Sequence, residues 1–229
     1  MRTPDSLSAI LDDVCQGLPS GRAKLFRLYA AGVSAKLLQS DYALNVLSAL
    51  AGQSDTQTTT DTTTPALPTS RRVEFYVDSF FAFLYSAFDI LAQALDQRFQ
   101  LIEDERSVSF KHFSAKAATS LPATAFSLTC AKVRRTTYFR NLDRYRNCST
   151  HRRPIYIQIR EERVDGTPGY DLAGHLVRTT RLICDNPLQP KPRTEQEREL
   201  IGYCTKMREK VGNMLEEIAQ AAKDHPHGP

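Results

Sequence analysis

The longest hydrophobic pattern in the chain predicts a helix over residues 71–100. Apolar side chains recur there at intervals of three and four residues, at Val73, Val77, Phe80, Leu84, Phe88, Leu91, Leu95 and Phe99. These intervals match the 3.6-residue repeat of an α-helix, and a second apolar stripe beside the first leaves little polar circumference. A helix of this kind is typical of the buried centre of a helical bundle.

A narrow polar stripe interrupts that apolar circumference. It consists of Asp78, Ser86, Asp89, Gln93 and Asp96, which lie within about 80° of one another at 100° per residue. In one interpretation the stripe is the solvent edge of the helix. In the other it faces a functional site, where Asp78 or Asp89 orients a basic side chain. Both interpretations stay open at this point.

Shorter patterns predict four further helices, over residues 21–50, 107–118, 123–151 and 195–223. We expect a break in the first at Ser40–Asp41, because Asp is a good N-cap, and a break in the third near Thr136–Thr137. Pro122 suits the first turn of the third helix. Thr194 is in position to cap the last helix.

The pattern changes after Pro154 to an alternation of apolar and polar residues. Ile155, Ile157 and Ile159 are separated by single residues, which is a strand pattern. Turn-forming pairs follow, and residues 174–184 return as a partner strand. The predicted fold class is therefore mainly α: a helical bundle with a small β-hairpin, over 154–184, appended after the helix that ends at His151.

One low-complexity segment divides the chain. Residues 53–70 are dominated by Thr, contain two prolines and have almost no large apolar side chain, which is typical of a linker or a long surface loop. The sequence thus predicts an N-terminal helical arm over 1–52, a Thr-rich linker over 53–70 and a helical bundle over 71–223.

Composition limits the class of protein. Hydrophobic residues make up 41% of the chain and aromatic residues 9%, which is enough for a core, so extensive disorder is excluded. No apolar run approaches the roughly 18–20 residues that a membrane-spanning helix needs, and the first residues lack a signal-peptide pattern. We therefore expect a cytoplasmic protein that does not enter a membrane.

The cysteines and the common motifs narrow the chemistry further. Five cysteines lie far apart and no two form a C-x-x-C pair, which argues against a disulfide framework and against a structural zinc site. We expect reduced, mostly buried thiols. The sequence contains no P-loop, G-x-G-x-x-G, G-x-S-x-G or H-E-x-x-H pattern, so the commoner enzyme classes are excluded.

Positive charge is concentrated in one stretch. The formal net charge is only +4, yet nine cations lie between Lys132 and Arg160, eight of them Arg, with Asp143 as the one acid in the stretch. Arg forms forked contacts with phosphate. A solvated basic face is one explanation; an anionic partner, and nucleic acid in particular, is the better one.

The centre of this stretch carries the candidate chemistry. It reads RNCSTH, in which Arg146 and Asn147 precede His151. The motif resembles the signature of the HEPN family, an Arg separated from a His by four to six residues and often followed by a polar residue. The resemblance covers about residues 71–154, with the long apolar helix upstream of the motif helix. The hairpin and the N-terminal arm lie outside the common family pattern.

The resemblance implies an all-helical bundle and a metal-independent endoribonuclease that needs no cofactor. RNA carries its own nucleophile, the 2′-hydroxyl. Histidine in general titrates near neutral pH, so His151 can act as base or acid, while the guanidinium of Arg146 stabilises the phosphorane-like transition state. Asn147 belongs to the same catalytic group. The products implied are RNA ends that bear a cyclic phosphate.

Helix geometry leaves the identity of the principal arginine open. Residues five apart on an unbroken helix diverge by about 140°, whereas Arg144 and His151, seven apart, share a face. A loosened turn at the poor helix formers between them would bring Arg146 inward. We take Arg146 as the principal cation and Arg144 as its alternative. We assign RNA binding to Arg140, Arg144, Arg152 and Arg153.

Three functions follow from these observations. The first is a ribonuclease in a toxin, antiviral or RNA-processing role. The resemblance implies that it acts as a homodimer or with a HEPN-like partner chain, and a regulatory antitoxin protein is a further expected partner if the role is that of a toxin. The second is a non-catalytic HEPN module that binds RNA, nucleotide or a partner protein. The third is a helical scaffold in which His151 only complements the helix dipole and Arg146 is a surface charge.

Overall fold

A computed structural model describes residues 4–51, 69–151, 157–163, 178–184 and 198–225. These residues form seven α-helices: α1 (Pro4–Cys15), α2 (Ser20–Ala51), α3 (Thr69–Phe99), α4 (Phe110–Ser120), α5 (Ala125–Arg135), α6 (Thr137–His151) and α7 (Leu200–Lys223). A short 3₁₀ turn covers Glu105–Ser107. Three strands, β1 (Ile157–Arg163), β2 (Arg178–Cys184) and β3 (Arg198–Glu199), complete the described elements. The fold is mainly helical, as predicted.

The central helix is α3, and the prediction for it is confirmed. Val77, Phe80 and Leu91 are fully buried, because α3 packs against α2 on one side and against α4, α6 and α7 on others. By length and composition, Arg71–Phe99 is apolar enough to cross a membrane. Half of its most apolar window is buried inside the structure, so packing in the core accounts for part of this apolarity.

Helix α2 runs antiparallel to α3 along almost its whole length. Gly32 lies against Ile90, where an added Cβ would come within 3.2 Å of the Ile90 side chain, while the rings of Tyr42 and Tyr76 meet at the other end, with centroids 6.4 Å apart. This pairing is the most extensive between any two of the described elements. The absent Cβ of Gly32 lets the two helices approach closely at this point.

The predicted break at Ser40–Asp41 is wrong, because α2 is continuous there. Ser40 donates its hydroxyl hydrogen to the carbonyl oxygen of Leu37 at 2.7 Å, within the same helix. Asp41 accepts two hydrogen bonds from the guanidinium of Arg208 on α7, at 2.7 and 2.9 Å. Both side chains are therefore satisfied without capping a new helix.

The division into an arm over 1–52 and a bundle over 71–223 is not reflected in the packing. Leu7, Leu11 and Val14 of α1 are buried, α1 packs on α7 and α2, and these side chains belong to the same hydrophobic core as those of α3. The predicted linker over 53–70 falls almost entirely outside the described residues. Helix α1 itself was not expected from the sequence.

Helices α4, α5 and α6 form the other side of the bundle. Ser109 caps α4, and Thr124 caps α5 by accepting the N–H of Ser127 at 3.1 Å. Pro122 therefore precedes the helix rather than lying in its first turn, which corrects the prediction. The break predicted near Thr136–Thr137 is confirmed, since α5 ends at Arg135 and Thr136 adopts an extended conformation.

Helix α7 closes the bundle and begins later than predicted. It starts at Leu200, directly after β3, rather than near residue 195. Thr194, the predicted cap, lies outside the described residues. Met207, Val211 and Leu215 are among the residues that form its buried face, as the apolar periodicity of this segment indicates.

The described strands form one small antiparallel sheet in the order β1-β2-β3. Ile157 pairs with Cys184 and Arg163 with Arg178, while Ile183 pairs with Glu199 of β3. The sheet has contacts with α2, α3 and α7. Residues 164–177, which join β1 to β2, and the side chains of the strands lie outside the described part, so the hairpin predicted over 154–184 stays a prediction.

Candidate functional site

The candidate site is built on α6, whose rotation is fixed by three buried side chains. Phe139, Leu142 and Tyr145 are buried at intervals of three residues. The ring of Tyr145 stacks on that of Phe81 with centroids 4.2 Å apart and planes 5° from parallel. Because these residues face the core, Arg140 and Arg144 on the other side of α6 are exposed.

Helix α6 runs antiparallel to α3. The ring of Phe139 lies 5.0 Å from that of Phe88, and one and a half turns later Tyr145 stacks on Phe81. As α6 proceeds toward His151, it therefore moves toward the N-terminal part of α3. Asp78 lies at this same end of the bundle, three residues before Phe81.

Arg146 lies at the border of the buried face and is half-buried. Its guanidinium carbon is 5.2 Å from the centre of the Tyr85 ring, a cation–π distance. Its Nη1 donates to the Oδ1 of Asn147 at 3.0 Å. Asn147 in turn donates from Nδ2 to the Oδ1 of Asp143 at 3.2 Å. The motif arginine is thus part of a hydrogen-bonded network within the protein.

Two carboxylates balance the cations of this network. Asp143 forms an ion pair with the ammonium of Lys111 at 2.7 Å. Asp89 accepts the backbone N–H of Phe110 at 2.9 Å, at the start of α4. With Arg146, the cluster holds two acids and two bases, so its formal charge is zero. We call these residues, with Tyr85 and Asn147, the internal polar cluster.

Burial governs the ionisation of the cluster. It raises the pKa of the Asp89 carboxyl above its usual range, against the opposing effects of the Phe110 N–H and the Arg146 guanidinium. The pKa of the Tyr85 hydroxyl is raised mainly by burial, and also by Asp89 and by Asp143, with which it forms a hydrogen bond. Tyr85 therefore stays neutral, and the Phe110 N–H, Arg146 and Lys111 limit the rise in the pKa of Asp89.

The second predicted orienting residue, Asp78, is not part of this cluster. It lies eleven residues before Asp89, about 16 Å away along α3. Burial raises the pKa of Asp78 to about 6, and the nearby carboxylate of Glu74 contributes to the rise. The structure therefore brings Asp89 together with Arg146, and places Asp78 at the level of the end of α6.

A cationic face lies on the outer side of α6. Arg140 and Arg144 are exposed one turn apart, and α6 is α-helical through to His151 without a loosened turn. On this continuous helix His151 lies on the side of Arg144, seven residues away, and of Asn147, four residues away, but about 140° from Arg146. The side chain of His151 lies outside the described residues, as do Arg152 and Arg153 entirely.

Sequence reasoning missed two members of the internal polar cluster. Tyr85 was not singled out, although it lies four residues before Asp89 on the same face of α3, and Lys111 was read as part of an ordinary helix. The spacing of Asp143, Arg146 and Asn147 at three and four residues on α6 was a signal for a local polar network. Their partners on other helices carried no local signal.

Comparisons with known proteins do not assign this chain to a family. No protein-family model, no curated protein and no solved structure matches the chain. Among the described residues no group of three or more His, Cys, Asp or Glu side chains is arranged to hold a metal ion. The chemistry of the site rests on its own residues: exposed guanidinium groups that suit phosphate, and a histidine position on the same side of α6.

Proposed function

We propose that this protein is a HEPN-type RNA-binding protein that cleaves RNA without a metal ion. The observation that carries the proposal is the continuous outer face of α6, on which exposed Arg140 and Arg144 share a side with the position of His151. A row of guanidinium groups along one helix face suits the spacing and charge of a ribose-phosphate backbone.

In the proposed reaction His151 accepts the proton of a ribose 2′-hydroxyl. The 2′-oxygen then attacks the adjacent phosphorus, the bond from phosphorus to the 5′-oxygen breaks, and that oxygen takes up a proton. The products are a 2′,3′-cyclic phosphate and a 5′-hydroxyl end. A guanidinium beside the phosphate stabilises the charge that accumulates on its oxygens. The imidazole alternates between base and acid near neutral pH.

Within this proposal the two arginines have different roles. Arg144 contacts phosphate, because it is exposed and shares the face of His151. Arg146 positions the helix and Asn147, because its guanidinium lies on Tyr85 and its charge is balanced by nearby carboxylates. Arg152 and Arg153 extend the cationic face in the sequence. The paired motifs of a homodimer, a partner antitoxin and a role in defence stay expectations of the family resemblance.

One observation favours a second candidate, a non-catalytic HEPN module. The motif arginine has structural partners, Tyr85 and Asn147, that account for its presence without any reaction. In that case the outer face of α6 binds RNA and releases it unchanged. The two candidates share the binding surface and differ only in whether bonds are broken.

A paired binding and cleavage experiment separates these functions. The protein is incubated with a panel of structured and single-stranded RNAs in EDTA, and each sample is divided between a mobility-shift gel and analysis of the RNA ends. The proposal expects retarded RNA together with new ends that bear a cyclic phosphate. Retarded RNA that stays intact supports the non-catalytic module, and RNA that is neither retarded nor cut contradicts both.

The variant Arg144→Ala tests the face itself. It should weaken RNA retention and reduce its dependence on salt by about one counterion. The matched control is Arg106→Ala, since Arg106 is an exposed arginine in the 3₁₀ turn at the opposite end of the bundle from His151. Equal losses in both variants would show that binding depends on total charge and not on the face of α6.

A further inference from the structure

An apolar stripe runs along the solvent side of α2. Leu28, Ala31, Ala35, Leu38 and Tyr42 follow one another at intervals of three, four, three and four residues. All five are exposed: Leu28 by 66%, Leu38 by 60% and Tyr42 by 63%, with the two alanines between them. At 100° per residue the five positions fall within about 80°, so they form one narrow seam with the heptad spacing of helix pairs.

A groove lies beside this seam, between α2 and α3. It has a volume of about 400 Å³ and is lined by Leu38 and Tyr42 from α2 and by Phe75, Ser79 and Phe83 from α3. Phe75 is 62% exposed. Four large side chains more than half exposed present roughly 500 Å² of apolar surface, near the upper limit for the largest patch on a monomer.

The seam is self-complementary about Ala35. Leu28 lies seven residues before it and Tyr42 seven residues after it, about 21 Å apart along the axis. If two copies of α2 pack antiparallel about a two-fold axis at Ala35, Leu28 of one copy meets Tyr42 of the other at the edge of the groove. Leu38 then faces the small residue Ala31, and the two Ala35 residues meet at the centre.

We propose that a second copy of this chain docks on the seam and the groove, through a two-fold antiparallel contact of the α2 helices. Leu38 faces Ala31 on both sides of the axis, which is how helices interdigitate, and the small Ala35 residues let the two helices approach at the centre. The roughly 500 Å² of apolar surface on the four large side chains is more than half of the about 800 Å² per partner that a stable interface buries. The two-fold contact gives a dimer and no longer assembly, because each copy uses the same surface to bind the other.

The composition of the seam argues against other occupants. From Leu28 to Tyr42 no position of the seam is charged. At the groove the ammonium of Lys36 lies 5.0 Å from the centre of the Phe83 ring, so a charged partner finds a cation beside the groove and none along the seam. The small residues Ala31 and Ala35 lie between large ones, which lets a second helix approach closely. Leu28 and Tyr42, each seven residues from Ala35, fit a copy of the same helix about a two-fold axis.

This interface is distinct from the face of α6. Phe83 in the groove and Tyr85 in the internal polar cluster are two residues apart on α3, about 200° around the helix. A second copy on the seam therefore leaves the outer side of α6 open, unlike the shared motif cleft that the HEPN resemblance implies. The inference goes beyond the proposed function and holds whether or not RNA is cut.

Sedimentation of the full chain tests the proposal. The parent protein should sediment with twice the mass of the chain, and Leu38→Glu should raise the dissociation constant at least tenfold, because two unpaired carboxylates would be buried at the interface. The matched control is Leu128→Glu, since Leu128 is 60% exposed on α5 and lies away from the seam. This control should remain dimeric.

Cross-linking gives a second measurement that does not depend on Leu38→Glu folding. An Ala35→Cys variant places two thiols on opposite sides of the two-fold axis and should form an intermolecular disulfide on mild oxidation. Leu128→Cys and the parent set the background from the natural cysteines, of which Cys15, Cys130 and Cys204 are buried. A monomeric parent, a Leu38→Glu variant as dimeric as the parent, or cross-linking of Ala35→Cys no greater than background would overturn the proposal.

Discussion

Replacing Arg146 by alanine tests whether the motif arginine stabilises the fold. The variant loses the cation–π contact with Tyr85, which contributes about 0.5–2 kcal/mol. It also loses the hydrogen bond to Asn147, of the charged kind that contributes about 1.5–3 kcal/mol where buried. Because Arg146 is only half-buried, we take the lower part of each range and expect a loss of about 2–3 kcal/mol. Asp89 loses the larger of the two cationic influences, Arg146 and Lys111, that lower its pKa.

The assay is urea unfolding followed by circular dichroism. With a slope of about 2–3 kcal/mol per molar urea for a chain of this size, the midpoint of Arg146→Ala should fall by about 1 M. The control is Arg144→Ala on the exposed side of the same helix, which should change the free energy of unfolding by less than about 0.5 kcal/mol. Equal midpoints for the two variants would refute the assignment of Arg146 to the interior network.

A second substitution shows whether the loss arises from the uncompensated carboxylate. Asp89→Asn keeps an oxygen for the N–H of Phe110 while removing the charge. In the Arg146→Ala background it should restore about 1 kcal/mol, whereas in the parent it should be destabilising, since it leaves Arg146 without one of its carboxylates. Effects that are additive in the double variant would mean that the two residues are not coupled.

Two further predictions concern α2 and α3. The folded-state pKa of Asp78 is about 6 against a usual 3.8, so ionisation of this carboxyl opposes folding, and its cost appears as pH rises from about 4 to about 6. Asp78→Asn should therefore stabilise the fold at pH 7.5 by about 1 kcal/mol after allowance for exposure. The melting temperature should rise at pH 7.5 and not at pH 4. Gly32→Ile should lower the free energy of unfolding in urea by about 2 kcal/mol, because the added side chain presses on Ile90. The control Gly21→Ala has nothing within 4 Å of the added Cβ and should be neutral or stabilising. A neutral Gly32→Ile, or an effect of Asp78→Asn that does not depend on pH, would contradict these assignments.

The elements that could be predicted from the sequence are those whose signal is local. The apolar repeat of α3 and the Thr136–Thr137 break depend on neighbours in sequence, and both predictions hold. The break expected at Ser40–Asp41 failed because the partner of Asp41 is Arg208, 167 residues away. The tendency of Asp41 to cap a helix was outweighed by its contact with a distant residue, which the local sequence does not predict.

The site shows the same division. The three-residue spacing of Phe139, Leu142 and Tyr145 in the sequence predicts which side of α6 faces the core. That orientation places Arg146 at the border of the core. The polar stripe of α3 fits neither interpretation in full: Asp89 binds the N–H of Phe110 and Asp96 binds those of Leu101 and Ile102. These carboxylates hold the backbone of the following segments. These backbone partners are brought close by the fold, so the pattern of polar and apolar residues along one helix does not predict them.

The most direct test of the proposed function is the rate at which His151→Ala cuts RNA in EDTA. The variant is compared with the parent on one RNA that the parent cleaves, at matched protein concentration and with circular dichroism to show that both are folded. Loss of the acid–base group should slow the appearance of cyclic-phosphate ends by about 10²–10⁴-fold while RNA retention is preserved. Cleavage by His151→Ala at the parental rate would contradict the assignment of catalysis to this imidazole.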